Sequence, residues 1–232
     1  MAAAHLTRLE AEERVGIVHA PRYEVDLDLT GDGGTFGSTT VVRFGATPGA
    51  STFIESTTLE VHELVLNGRP LDPAAVIDGD RIRLVDLEAQ NELLVRSTRA
   101  YSNTGEGLHR FVDPVDDAPY LYTEFAVAEA NRVYAVFDQP DLKASVRFTI
   151  TAPAAWQVLS NAPTPDPVPV GTDGTTSTWA FETGPVISSY IVAIIAGPYA
   201  AWRGTARSID ALRSGWSNTA YTRFASATAN SV

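Results

Sequence analysis

The sequence contains no cysteine among its 232 residues, so it can form neither a disulfide framework nor a thiolate metal site. It also lacks a basic excess: 17 Lys and Arg stand against 28 Asp and Glu, a formal net charge of −11. Because binding to phosphates needs clustered Lys and Arg, nucleic acid is excluded as a partner. The most apolar stretch, residues 190–196, is far shorter than the ~20 residues of a spanning helix, so no membrane partner is expected.

The composition is that of a folded protein with a large core, since 44% of the residues are hydrophobic and only 19% are charged. This length suits one large domain or two small ones. The first ten residues hold no apolar signal segment, which predicts a cytoplasmic location.

Apolar and polar residues alternate along much of the chain, most clearly over residues 23–30, as in strands with one buried face. Further strands are predicted at 39–44, 52–56, 61–66, 81–85, 92–100, 120–125, 145–152, 156–160, 176–181 and 189–196. Short strands separated by turns predict an all-β sandwich. Helix is limited to residues 6–15, where Thr7 and Glu10 have capping-box spacing, and to a turn at 127–132.

No motif for catalysis or metal binding is complete. His62-Glu63 begins a zinc-protease pattern, but Leu66 stands where the second histidine should be, so we interpret His62 as an ordinary strand residue. The glycine-rich stretches 31–34 and 105–107 are interpreted as hairpin turns, and the aspartates of 113–117 as a solvated loop. From its residues alone the chain has no catalytic residue and no metal site.

The composition changes near residue 200. Residues 200–232 hold four arginines and one acid, which leaves 13 basic and 27 acidic residues, a net of −14, over 1–199. We therefore predict a β-domain at 1–199 and an atypical tail at 200–232, within which a helix at 207–213 and disorder are both open.

Two blocks are more specific than a generic sandwich. The first runs from Tyr101 to Asp113 and continues at Tyr120-Leu-Tyr-Thr-Glu-Phe125; the second is Asn131 to Ala144, with Phe137-Asp-Gln-Pro-Asp-Leu-Lys-Ala144 at its centre. Together they closely resemble the N-terminal domain of the M1 family of zinc aminopeptidases, in particular actinobacterial-type aminopeptidase N. The similarity covers residues ~5 to ~199.

The resemblance implies a saddle-shaped antiparallel β-sandwich that is the first of several domains. In that family the next domain carries the zinc ion, held by a His-Glu-x-x-His motif that this sequence lacks. The chain is therefore expected to need no cofactor itself, to depend on a missing catalytic domain that binds zinc, and to be inactive alone. The parent enzyme would remove N-terminal residues from peptides.

The resemblance also implies one substrate-binding residue. The family's Thr-Gln-x-Glu segment helps to hold the α-amine of the substrate, and it corresponds here to Thr123-Glu-Phe-Ala126. Glu124 stands where glutamine is usual, and Ala126 stands where the acid is usual. Glu124 either takes over amine recognition or leaves the amine more weakly anchored. Asp138-Gln-Pro-Asp141 is interpreted as a structural turn, because proline fixes φ and aspartate caps backbone N–H groups.

A stand-alone sandwich that binds peptides or a partner protein is the alternative. A domain that normally packs on a neighbour should expose a contiguous apolar face, through which isolated copies would dimerise, whereas an independent module should not. Tyr120, Tyr122, Tyr134 and the tryptophans at 156, 179 and 202 are predicted to pack in the core or between domains.

Overall fold

The fold is built almost entirely from strands. The structure is a computed structural model that describes residues 6–31 and 33–200. Two helices precede or interrupt the strands, α1 at Arg8–Ile17 and α2 at Pro73–Val76. The strands among the described residues are β1 Val18–Asp28, β2 Thr35–Ala46, β3 Thr52–Glu55, β4 Glu60–Leu66, β5 Arg69–Pro70, β6 Ile77–Asp78, β7 Arg81–Leu84, β8 Gln90–Ala100, β9 Gly107–Val112, β10 Pro119–Glu124, β11 Ser145–Pro153, β12 Gln157–Ser160, β13 Val168–Val170, β14 Thr176–Ala180 and β15 Ile194–Gly197.

These strands form three sheets. The largest has eight strands in the order β13-β14-β11-β1-β2-β8-β4-β5, the second has the order β12-β15-β10-β9, and the third has the order β3-β7-β6. Ladders between the described strands are antiparallel except that β1 pairs in parallel with β11. The all-β prediction with few short helices is thus confirmed, with one parallel pair that the alternation of residues could not predict.

Period-two burial explains why the sheets pack face to face. Along β8 buried and exposed residues alternate almost without exception, and β1 and β11 behave in the same way. A strand with this pattern places every second side chain on one face. The inward residues of all three sheets meet in a single core, which includes Leu27, Phe44, Ile82, Leu93, Leu121 and Ile150.

Most boundaries follow the local sequence. Helix α1 begins after Thr7, whose side chain and that of Glu10 form the predicted capping box. The predicted strand 189–196 is wrong in its first half, because Ser189–Ile191 is a 3₁₀ turn and β15 starts only at Ile194. The amide of Asn161 holds this break by bonding Ile191 O and Ala193 N.

The glycine-rich stretches have different outcomes. Residues 29–34 connect the antiparallel neighbours β1 and β2, so a hairpin there is confirmed, although residue 32 lies outside the described residues. The hairpin predicted at 105–107 is wrong, because β8 and β9 belong to different sheets. Residues 201–232 of the predicted tail, which include Trp202 and the helix predicted at Arg207–Arg213, also lie outside the described residues, and the boundary at residue 199 stays a prediction.

The segment 133–139 is irregular yet fully buried. Buried backbone groups need hydrogen-bond partners. Val136 exchanges two backbone bonds with Glu55 at 3.0 Å each, and other groups of this segment depend on side chains. Neighbouring strands supply them: Ser38 Oγ donates to Val133 O at 2.9 Å, Thr40 Oγ1 accepts from Ala135 N at 3.1 Å, and Tyr23 OH accepts from Phe137 N at 3.0 Å.

Asp138 and Gln139 fix the end of this segment. Asp138 is 1% exposed; its carboxylate accepts from Asn131 N and Nδ2 at 3.1 Å each and from Ser189 Oγ at 2.6 Å. Gln139 Oε1 accepts from Arg14 Nε at 3.0 Å. Both side chains accept hydrogen bonds from buried donors, in agreement with the structural role predicted for this motif.

Arg14 connects helix α1 to the core. Its Nη1 contacts both carboxylate oxygens of Glu55 at 2.7 Å, and the Arg14 side chain is 1% exposed. Burial raises the pKa of Glu55, and the adjacent guanidinium offsets part of this shift. At the other end of α1, the Arg81 hydrogen bond and the Thr7 backbone lower the pKa of Glu10 to about 2. Helix α1 is therefore attached mainly through polar contacts.

We predict that Arg14→Met destabilises the protein by about 3–5 kcal/mol, because it leaves the Glu55 carboxylate buried without its partner. Urea unfolding of the 232-residue chain measures this change. The exposed Arg8 of the same helix, paired only with Glu12, is the control, and Arg8→Met should change stability little. Equal effects of the two substitutions would contradict the assigned role of the buried pair.

Candidate functional site

Glu124 is the last residue of β10 and its side chain is exposed. Residues directly opposite each other on paired strands share a face, and Glu124 lies opposite Gly107 of β9. No described residue donates a hydrogen bond to the Glu124 carboxylate or forms an ion pair with it. Both oxygens are therefore available to a ligand.

The loop between β8 and β9 passes directly against this carboxylate. A Cβ atom at position 105 would lie 3.1 Å from Glu124 Oε2, and Gly105 has a φ of +84°. A side chain here would be strained and would displace the carboxylate, so the position suits glycine. At Gly107 the neighbour is Arg132, whose Cβ would lie 2.8 Å from a Cβ at 107.

His109 holds this loop in place. Its Nδ1 accepts a hydrogen bond from Gly105 N at 3.0 Å, so the ring proton of neutral His109 is on Nε2. The imidazole packs on Tyr122, with the ring centroids 4.8 Å apart. On the far side of the loop, Glu106 pairs with Arg132 at 2.8 Å. Glu124, at the end of β10, thus lies against a loop that is held by hydrogen bonds and an ion pair on both sides.

A second acidic residue, Glu129, also reaches this segment, and the sequence did not predict it. Glu129 Oε2 accepts from the backbone N–H of Ala126 at 2.9 Å. The Glu129 carboxylate therefore lies beside Ala126. The local signal was an acid three residues after Ala126, just before the 3₁₀ turn Ala130–Arg132.

The same face of the four-stranded sheet is aromatic. Leu121 of β10 points into the core at 1% exposure, so Tyr120 and Tyr122 point outward. Opposite them on β9 lie Phe111, which is 48% exposed, and His109. Tyr199 packs against Tyr120 with ring centroids 4.9 Å apart. We call this surface the aromatic face: His109, Phe111, Tyr120, Tyr122 and Tyr199.

The other described aromatic side chains of this prediction lie in or against the core, where Trp156 is half-buried. Tyr134 is fully buried and Trp179 is 3% exposed, which confirms core packing for both. Burial raises the pKa of Tyr134 well above its ordinary value.

The described residues do not fit a zinc ion. They contain no group of three or more His, Cys, Asp or Glu side chains that could hold a metal. His62 lies on β4, as predicted, and its Nε2 is 2.7 Å from Thr98 Oγ1. Asp113 and Asp116 cap backbone N–H groups of the β9–β10 loop at 2.9 Å each. No helix among the described residues is long and apolar enough to cross a membrane.

Comparison with known proteins places these features in a family context. The domain family described as the Peptidase M1 N-terminal domain matches residues 82–191. The chain is 51% identical over 203 residues to aminopeptidase N of Streptomyces lividans, a match that covers 86% of this chain and 23% of that protein.

More distant relatives give the same family. The chain is 34% identical over 86 residues to aminopeptidase N of Acetobacter pasteurianus, covering 37% of this chain and 24% of that protein. It is 32% identical over 163 residues to a probable M1 family aminopeptidase of Encephalitozoon cuniculi, covering 60% of this chain and 18% of that protein. The chain therefore spans less than a quarter of the length of these relatives.

We predict that Gly105→Ala destabilises the chain by roughly 1–2 kcal/mol, because alanine is strained at positive φ and its methyl group would press on Glu124. Urea unfolding measures the loss. Gly34→Ala is the matched control, since a Cβ atom there meets no atom within 4 Å. If both substitutions have the same effect, the close approach of the loop to Glu124 is not a constraint.

Proposed function

This chain belongs to the Peptidase M1 N-terminal domain family, of the actinobacterial aminopeptidase N type, and from that premise we propose that it is a non-catalytic domain of a zinc aminopeptidase. In this proposal it covers one side of the active-site cleft and helps to bind the free α-amine of peptide substrates. In this proposal the zinc ion and the general base belong to a separate catalytic domain.

The unpaired carboxylate of Glu124 is the observation that carries the proposal. A substrate ammonium group is a cation with N–H donors and needs acceptor oxygens, and ionised acceptors give hydrogen bonds roughly twice as strong as neutral ones. Glu124 offers two such oxygens at the exposed end of a strand. Gly105 and His109 support this placement by fixing the loop against which the carboxylate rests.

Glu124 differs from the glutamine that is usual in the family, and Ala126 removes the usual acid. In our proposal the glutamate carries the negative charge that Ala126 no longer supplies, two residues earlier in the chain. The Glu129 carboxylate adds negative charge beside Ala126, since it is bonded to that residue's N–H group. The amine therefore meets an acidic surface even without an acid at position 126.

The aromatic face is evidence that another domain packs on this sheet. It lies on the same strands as Glu124, and half-exposed aromatic rings next to a candidate cleft are typical of surfaces that another domain covers. We propose that the catalytic domain packs here. The alternative, a stand-alone module that binds peptides or a partner protein, would use the same surface for a ligand from solution. A cytoplasmic location stays a prediction of the sequence.

A chimera tests amine recognition. Residues 6–199 of this chain replace the matching part of the Streptomyces lividans aminopeptidase N, and kcat and KM are measured with leucine 4-nitroanilide. We expect an active enzyme in which Glu124→Ala raises KM about tenfold with little change in kcat, as for a lost substrate-binding contact. The exposed Glu13 gives the control variant Glu13→Ala. An active chimera whose KM is unaffected by Glu124→Ala would refute amine binding, and a folded but inactive chimera would refute the capping role.

Self-association tests the aromatic face. In sedimentation velocity at two concentrations, the isolated chain should form a dimer at the higher one, because the face lacks its usual partner. Phe111→Asp should abolish the dimer, whereas Val115→Asp should not, since Val115 is 79% exposed in the adjoining loop. A monomer at both concentrations, or a dimer that survives Phe111→Asp, would rule out this face as the contact.

A further inference from the structure

A cavity of about 360 Å³ lies at one end of the fold, between the eight-stranded and the four-stranded sheets. Leu29, Tyr101 and Pro153 lie at the carboxyl ends of β1, β8 and β11, and Pro119 and Leu121 belong to β10. The walls are therefore mainly apolar. The volume is within the ~300–1,000 Å³ range of small-molecule sites.

Arg110 also lines this cavity, and its position is unusual for a cation. It lies on β9 directly opposite Leu121, which is 1% exposed. Opposite residues share a face, so the Arg110 side chain is on the inner side of the sheet, away from the aromatic face. It is only partly exposed there.

The Arg110 guanidinium has no acceptor among the described residues. Five arginines of residues 6–31 and 33–200 are buried or half-buried, and the other four each have a hydrogen-bonding partner. These partners are Glu55 for Arg14, Glu10 for Arg81, the carbonyl oxygens of Thr57 and Asn131 for Arg99, and Glu106 for Arg132. Arg110 is thus the one arginine of this set, among the described residues, whose guanidinium has no protein acceptor.

Two further donors line the same cavity without an acceptor. The hydroxyl of Tyr101 and the indole N–H of Trp156 form no hydrogen bond with a described residue, although both side chains are half-buried. Burial raises the pKa of Tyr101, and the positive charge of Arg110 offsets part of the shift, so the guanidinium lies within electrostatic reach of the hydroxyl. Three unpaired donors thus line a cavity whose walls are otherwise mainly apolar.

We propose that this cavity binds an organic monocarboxylate with an aromatic or branched apolar body. Arg110 pairs with the carboxylate, Tyr101 and Trp156 donate to its oxygens, and Leu29, Leu121 and the proline rings cover the apolar body. Donors without acceptors select an acceptor-rich group, and a guanidinium matches the two oxygens of a carboxylate. A small inorganic anion would leave the apolar walls uncovered. This proposal does not depend on the proposed function.

A carboxylate with an apolar body can belong either to a free acid or to the C-terminal residue of a peptide. The probes are 3-phenylpropionate and an acetylated tripeptide that ends in phenylalanine, each compared with its primary amide. If the peptide acid binds at least tenfold more tightly than 3-phenylpropionate, the site recognises peptide C-termini; equal or weaker binding assigns it to free acids.

Isothermal titration of the 232-residue chain at pH 7 tests the site. We expect 3-phenylpropionate to bind at least tenfold more tightly than its amide or inorganic phosphate, because hydrogen bonds to charged groups are the stronger ones. Arg110→Gln should lose about tenfold in affinity, while Arg22→Gln, at an exposed arginine, should lose none.

Thermal melting checks that each variant is folded. If Arg110→Gln does not fold, Tyr101→Phe gives the same test, since it removes only the hydroxyl and should weaken the carboxylate several-fold without affecting the amide. Equal affinity for acid and amide, equal affinity for phosphate, wild-type affinity in the folded Arg110→Gln variant, or no binding up to ~10 mM would each overturn the proposal.

Discussion

The buried segment 133–139 is the constraint on which the rest of the structure depends. A stretch of irregular backbone can lie in a core only if other groups satisfy its N–H and C=O groups. Here the hydroxyls of Tyr23, Ser38 and Thr40 satisfy three of these groups. Glu55 satisfies three more: its backbone pairs with that of Val136, and its carboxylate accepts from Asp138 N at 3.1 Å. The polar residues inside β1, β2 and β3 are therefore a consequence of one segment threaded between the sheets.

Of the two fully buried arginines among the described residues, Arg14 serves this segment, because it bonds to Gln139 and Glu55. Arg14 neutralises Glu55, so helix α1 is attached to the core by charge rather than by an apolar stripe. Arg99 has no carboxylate partner and donates to the carbonyl oxygens of Thr57 and Asn131 at 3.0 and 2.6 Å. Burial lowers the pKa of Arg99 to about 9, which still leaves it protonated at neutral pH.

The sequence predicts best what neighbouring residues decide. The Thr7–Glu10 cap, the alternating strands and the β1–β2 turn are local, and each is found. The hairpin prediction at 105–107 is wrong because these glycines are needed for close contacts with Glu124 and Arg132, which are distant in the sequence. At the candidate site the sequence resemblance points to Glu124, but only the fold shows that Glu129 reaches Ala126. The same holds for Arg110, whose inward direction depends on pairing with Leu121.

The parallel pairing of β1 with β11 has a consequence for synthesis of the chain. Arg22 lies beside Ser145, so one side of β1 gains its partner only when a segment roughly 120 residues later has left the ribosome. Until then the sheet presents an open edge of alternating apolar residues, a surface on which other nascent strands can pair. This edge of β1 thus stays unpaired during translation for longer than the strands of a sheet made of consecutive hairpins.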